Sequence, residues 1–333
     1  MRVQKLKKSK KLVLIPFLLL ITISLTALLC LNACNADLFQ NTLSQNINEL
    51  INRTKENQTE LSKKSTQTTL PKVLVVESFL ADITKNVSGS RLEIDTLVPL
   101  GLDPHSFEPS PGDVAKITES DILIINGAGF EEWLEDIITG ANEKIIIVEC
   151  SKGLEGLKGD PHFWLDPNLA KVYVQNIRDA LIESDPQGKD LYNKNAEEYT
   201  ARLIELDKWI AEAVKKIPEG KRLLVTNHES FGYYADRYGF KVIGTIIPGS
   251  SSASSPSAKE ISGLIEKIKA AGAKAIFLET GSDPKIANQV ARETNIKIVT
   301  ELYTHSITEP DGPAPTYIDM IEFNTNEIVE SLK

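Results

Sequence analysis

The chain of 333 residues holds only four histidines, and each sits in a short loop between apolar runs. His105 lies in Asp103-Pro104-His105-Ser106-Phe107-Glu108-Pro109-Ser110-Pro111, and His162 repeats the opening tripeptide in Asp160-Pro161-His162-Phe163-Trp164-Leu165-Asp166-Pro167. His228 follows Thr226-Asn227, and His305 follows Tyr303-Thr304. Imidazole suits zinc, copper, nickel and iron, whereas manganese and magnesium favour carboxylate and water. Four neutral imidazoles with no position left for water fit a closed tetrahedral zinc site, while a catalytic zinc keeps one position open. The acids in the two Asp-Pro-His loops have a use, because a metal-bound imidazole donates its other N–H to a carboxylate or carbonyl that fixes the ring. Enzyme signatures are missing. There is no His-Glu-x-x-His helix, Gly127-Ala128-Gly129 is too short for a phosphate loop, and no Gly-x-Ser-x-Gly elbow supports a Ser-His-Asp triad.

The elements that must position these side chains are organised around one long segment. Tyr192, Ala196, Tyr199, Leu203, Leu206, Ile210, Ala213 and Ile217 recur at spacings of three and four, which predicts a helix over Lys189 to Ile217, opened after Pro186 and Gly188 and stopped by Pro218 and Gly220. Two histidines precede this rod and two follow it. Before it, apolar β-branched runs at Val73 to Val76, Leu92 to Val98, Ile122 to Ile125 and Ile145 to Val148 alternate with helical stretches, which reads as a parallel sheet covered on both faces. After it, Leu223 to Thr226, Val242 to Ile247, Ala275 to Leu278 and Lys297 to Thr300 repeat the pattern. All four histidines fall at strand exits, where ligands of such sheets sit. The expected fold class is α/β, two lobes with parallel sheets joined by one long backbone helix. The Gly/Ser-rich stretch from Pro248 to Pro256 reads as a solvated turn.

Composition bounds the rest. The formal net charge of −9 includes six basic residues within the first eleven positions, so the chain without them is more acidic still and repels phosphate backbones; nucleic acid is excluded as a partner. Three cysteines are too few for a disulfide framework, and Cys150 reads as a small buried hydrophobe. The basic start, the apolar run from Leu12 to Leu31 and the Leu31-Asn32-Ala33-Cys34 end form a secretory leader, and this order resembles the bacterial lipoprotein signal in which the cysteine is lipidated. An uncleaved membrane anchor is the competing reading of that run. Either way the remainder lies outside the cytoplasm, tethered to a membrane. The expected organisation is a signal peptide at 1–34, a polar tether at 35–71, an N-terminal α/β lobe at 72–187, a linking helix at 188–218 and a C-terminal α/β lobe at 219–333.

Asp-Pro-His-x-x-Glu-Pro-Ser-Pro around His105, Asp-Pro-His-x-Trp-Leu-Asp-Pro around His162 and His-x-x-Phe-Gly-Tyr-x-x-x-x-Tyr-Gly from His228 resemble the zinc/manganese solute-binding lipoproteins of bacterial metal ABC importers. The match runs from about Val73 to the C-terminus in unbroken motif order. The resemblance implies a buried metal between two lobes, delivery to a membrane permease, a monomer on a lipid anchor at Cys34, and no catalysis. It also implies that His105, His162 and His228 are ligands. A histidine at the third position marks the zinc binders of the family and a glutamate the manganese binders, so Zn2+ is expected, with Mn2+ the alternative cargo. The fourth position commonly carries aspartate in the family; here it is His305, a departure that makes the site all-nitrogen. The His-rich loop of many zinc binders is also missing, and only Gly153 to Gly159 occupies that stretch. Glu279 resembles a family acid that supports the site from behind the ligands. The rival readings are a manganese or iron carrier of the same class, a secreted zinc-dependent hydrolase, and a cell-adhesion protein with a structural metal.

Overall fold

The structure is a computed structural model that describes residues 45–47, 49–51, 53–55, 70–140, 144–157, 159–252 and 254–333. The leader and Cys34 lie outside the described residues. Those described between 45 and 55 are helical and exposed, and Leu70–Lys333 forms a separate compact unit.

Within that unit the first sheet contains β1 (Val73–Val75), β2 (Ile94–Thr96), β3 (Ile122–Ile125) and β4 (Ile146–Glu149), all parallel in the order β2-β1-β3-β4. The second contains β5 (Leu223–Thr226), β6 (Lys241–Thr245), β7 (Ala275–Glu279) and β8 (Lys297–Leu302), all parallel in the order β6-β5-β7-β8. The two orders are the same pattern. The central strands β1, β3 and β7 are buried along their whole length, as strands covered on both faces must be. The pairing of β7 with β8 slips between Phe277 and Glu279, so that Glu279 faces Leu302. Such an irregularity re-aims the chain just before it reaches His305.

Nine helices cover the sheets among the described residues of the unit. In chain order they are α1 (Ser78–Ser88), α2 (Pro111–Glu119), α3 (Glu135–Gly140), α4 (Pro167–Ser184), α5 (Lys189–Val214), α6 (Gly232–Tyr238), α7 (Ala258–Ala271), α8 (Lys285–Thr294) and α9 (Tyr317–Leu332). Ser110 caps α2 in a reciprocal box with Asp113, as its position before Pro111 predicts. The rod is α5, 26 residues or about 39 Å long at 1.5 Å per residue. It ends at Val214, three positions before the expected Ile217, because Ile217 precedes Pro218 and the proline ring pushes the residue before it out of helical geometry. Ile217 is still fully buried and caps the same apolar face.

That face packs on α4, α1 and α9. One continuous core therefore runs from Phe79 and Trp164 in the first lobe through Tyr192, Leu203 and Ile210 of the rod to Tyr234, Tyr317 and Leu332. The C-terminal helix is a second tie between the halves. The Tyr317 N–H donates to Asp82 in α1 at 2.9 Å, and its hydroxyl donates to the Trp164 carbonyl at 2.5 Å.

Candidate metal centre

The two Asp-Pro-His tripeptides fold alike. In each, the aspartate carboxylate accepts the histidine backbone N–H two residues on, at 2.9 Å for Asp103 and 3.0 Å for Asp160, a local bond that stiffens a turn already constrained by proline. Their other contacts differ. Asp160 lies 2.8 Å from His162 Nδ1, whereas the free oxygen of Asp103 accepts from the Ser252 hydroxyl of the other lobe. The indole of Trp133 holds the His105 turn by donating to the Pro104 carbonyl at 3.0 Å.

His228 leaves β5 and His305 leaves β8, and both turn their Nδ1 atoms toward Glu279 at the end of β7. The separations are 2.9 Å from His228 to Oε1 and 3.3 Å from His305 to Oε2. The first is a charge contact that is out of line for a hydrogen bond. Ser230 donates to the same Oε1 at 3.2 Å, and the Thr304 hydroxyl lies 3.2 Å from His305 Nδ1.

With three Nδ1 atoms facing acids, the Nε2 atoms converge. His162 Nε2 stands 3.3 Å from that of His105, 3.2 Å from that of His228 and 3.3 Å from that of His305, and all four ligand atoms lie within 4.8 Å of one another. Nitrogens placed 2.0–2.1 Å from a zinc ion at tetrahedral corners are about 3.3–3.4 Å apart, so the three edges at His162 match that polyhedron. His162 and His228 are fully buried, His305 is nearly so, and His105 is the partly exposed member. Phe130 walls the cluster, its ring 4.6 Å from that of His105 and edge-on. A cavity of about 460 Å3 opens beside His305, lined from both lobes by Asp103, Ser252, Glu279, Asp283, Thr304 and Ser306.

Burial sets the charge states. It takes His162 and His305 well below the ordinary imidazole range and His105 down to about 4, with the neighbouring imidazoles adding to it. Burial also opposes charge on His228, but Glu279 beside it carries its pKa above the usual value. For Glu279, burial alone raises the pKa, and His228 and His305 together override it and bring it down to about 2. Burial lifts Asp160 to about 7 against the hydrogen bond from the His162 N–H.

The four histidines and Glu279 singled out from the sequence are thus brought together. The Asp-Pro-His repeat carried the signal for Asp160, but nothing in it distinguished Asp160 from Asp103. Ser252 had no signal, since the loop from Pro248 to Pro256 reads as a solvated turn; instead it reaches across to Asp103 and lines the cavity.

A buried cluster of imidazoles between two parallel-sheet lobes on a common rod is an arrangement suited to a metal-binding solute-binding protein. Residues 73–331 match the family described as zinc-uptake complex component A, periplasmic, and the chain belongs to that family. It is 33% identical over 267 residues to the manganese-binding lipoprotein MntA of Halalkalibacterium halodurans, covering 78% of this chain and 88% of the relative. The manganese-bound periplasmic metal-binding protein of Candidatus Liberibacter asiaticus is similar at TM-score 0.72 and 30% identity, over 79% of this chain and 100% of the other. The periplasmic zinc-binding protein TroA of Treponema pallidum is similar at TM-score 0.75 and 25% identity, over 79% and 99%.

Proposed function

We propose that this chain is the extracytoplasmic capture component of a metal ABC importer, that its cargo is zinc held by His105, His162, His228 and His305, and that it delivers the ion to a membrane permease. The observation that carries the choice of zinc is the all-nitrogen cluster: three Nε2 separations of 3.2–3.3 Å at His162, all four ligand atoms within 4.8 Å, and no carboxylate oxygen among them. Glu279 and Asp160 support it by orienting the rings from behind. Manganese is the second reading, favoured by the names of the manganese-binding relatives. The test is thermal unfolding of metal-free protein with each ion at equal concentration, since a ligand that binds only the folded state raises the melting temperature by mass action. One zinc per chain and a much smaller shift with manganese are expected; equal shifts overturn the zinc assignment.

The reading extends to the N-terminus. Cleavage before Cys34 and lipidation of that residue leave 35–71 as a tether, so that the monomeric two-lobe body, with 72–187 and 219–333 either side of the helix at 188–218, works at the membrane surface. Mass spectrometry of the mature N-terminus checks it, and Cys34→Ala is expected to release the protein from membranes. No helix among the described residues is long and apolar enough to cross a membrane.

A further inference from the structure

A second buried acid lies in the first lobe, away from the imidazoles. Glu77 lies two residues past the end of β1, is 0% exposed, and neither of its carboxyl oxygens has a hydrogen-bond partner from another residue's N–H or O–H. The carboxyl of Glu131, itself 5% exposed, is its acidic neighbour: β1 pairs with β3, Val75 opposite Ile124, and Glu131 binds the Asn126 N–H where β3 ends beside Glu77. No basic side chain acts on Glu77, and the other titratable groups against the pair are Cys150, which follows β4, and Tyr173 of α4, both held neutral by burial.

Two carboxylates in contact inside a protein, without a cation, repel each other and are each penalised by burial; a shared proton removes both costs. The backbone shows where that proton sits. Glu131 accepts the Asn126 N–H at 2.6 Å on one oxygen and the Gly127 N–H at 3.1 Å on the other, and such bonds favour its ionised form. Glu77 has at most its own backbone N–H, so its ionised form is the less supported of the two. A neutral Glu77 supplies the missing O–H and a charged Glu131 accepts it, which satisfies the orphaned oxygens without any further group. Burial accordingly lifts both acids, Glu131 to about 7 and Glu77 well above the carboxylate range.

The pair is joined to the metal centre through one turn. Gly127, Ala128 and Gly129 have φ of 79°, 54° and 77°, a left-handed run that is unfavourable for Ala128, and it swings Phe130 onto His105. Glu131 clamps the start of that turn. Asn126, whose side-chain oxygen accepts from Tyr173, donates at 3.1 Å to the carbonyl of Pro161, the residue before His162. We infer that Glu77 and Glu131 hold one proton between them in the folded protein, and that this shared proton makes Glu77 a positioning residue for the first-lobe half of the metal centre, through the Asn126–Phe130 turn.

The sign of the consequence is fixed. The folded state keeps a proton that the unfolded chain releases above about pH 4.3, so the contribution is complete below that pH and is lost as pH rises through the folded value. Across that window the unfolding equilibrium shifts by up to about tenfold per pH unit. The experiment compares purified full-length wild type with Glu77→Gln, metal-free, from pH 5 to 9.5. An amide donates to Glu131 but has no proton to lose, so wild type should lose stability toward high pH and the variant should lose less, with the difference growing to tenfold or more in the unfolding constant. The zinc dissociation rate should likewise rise with pH more steeply in wild type. Infrared spectra of the wild type at about pH 9, where Asp160 is ionised, should show a protonated-carboxyl stretch that Glu77→Gln lacks; this readout on the wild type stands even if the variant folds poorly. Parallel pH profiles, a wild type without that band, or a wild type stabilised specifically by sodium, potassium or calcium at constant ionic strength would overturn the inference.

Discussion

The two sheets share one strand order, and each carries a buried glutamate where the order reverses: Glu77 after β1 in the first, Glu279 at the end of β7 in the second. Burial opposes charge on both to the same degree of enclosure, yet they end in opposite states. Glu279 faces two imidazoles and is held at about 2; Glu77 faces another glutamate and is pushed up. Partner charge, not depth, decides the outcome. The second lobe thereby presents His228 and His305 as a pair braced by one carboxylate. The first lobe braces His162 by Asp160 but leaves the ring of His105, partly exposed, held through its backbone and Phe130.

The comparison breaks most sharply at the ligand common to all three short edges. His162→Ala should weaken zinc binding by about 10²–10³-fold, roughly a quarter of the ~10–16 kcal/mol typical of four-ligand zinc sites, as read by competition with a chromophoric chelator. His305→Ala should also weaken it and leave a position that water fills, whereas His305→Asp should narrow the preference for zinc over manganese; an unchanged dissociation constant in His305→Ala removes that residue from the coordination sphere.

A smaller loss is expected behind the ligands. Glu279→Gln should cost on the order of 10–100-fold in affinity, and Asp160→Asn less, because one orients two rings and the other a single ring. Equal losses would show that the lobes are not braced unequally.

Much of this was legible in advance. The strand runs, the rod and the cap at Ser110 are local signals, set by β-branching, periodicity and a side chain that bonds its own backbone. The four histidines were legible because nothing else in the chain competes for them. What remained hidden depends on pairs distant in sequence: Ser252 with Asp103, Glu77 with Glu131, and the return of α9 to α1. No periodicity records such pairings, since they follow from where the sheets bring strand ends together.

Rates should move less than affinities. Ser252→Ala removes a hydroxyl that bridges the Pro248–Pro256 loop to Asp103, and zinc should then leave a few-fold faster by stopped-flow chelation with little change in the melting temperature, since a single hydrogen bond of this kind is worth only about 1 kcal/mol. The smallest effect concerns shape. A rod and a second helix both tie the lobes, so scattering profiles with and without zinc should nearly superpose; a large change in radius of gyration would mean that the lobes hinge as rigid bodies.

The contact of Tyr317 with Asp82 and Trp164 also has a bearing on biogenesis. The last 16-residue helix covers apolar surface on the rod and α1 that is laid down much earlier in the chain. If the polypeptide crosses a membrane N-terminus first, that surface stays open until α9 arrives, and this part of the core cannot close before residues 317–332 have emerged. The interval in which a chaperone or protease can act on the chain therefore lasts at least until α9 has arrived, however fast either sheet forms.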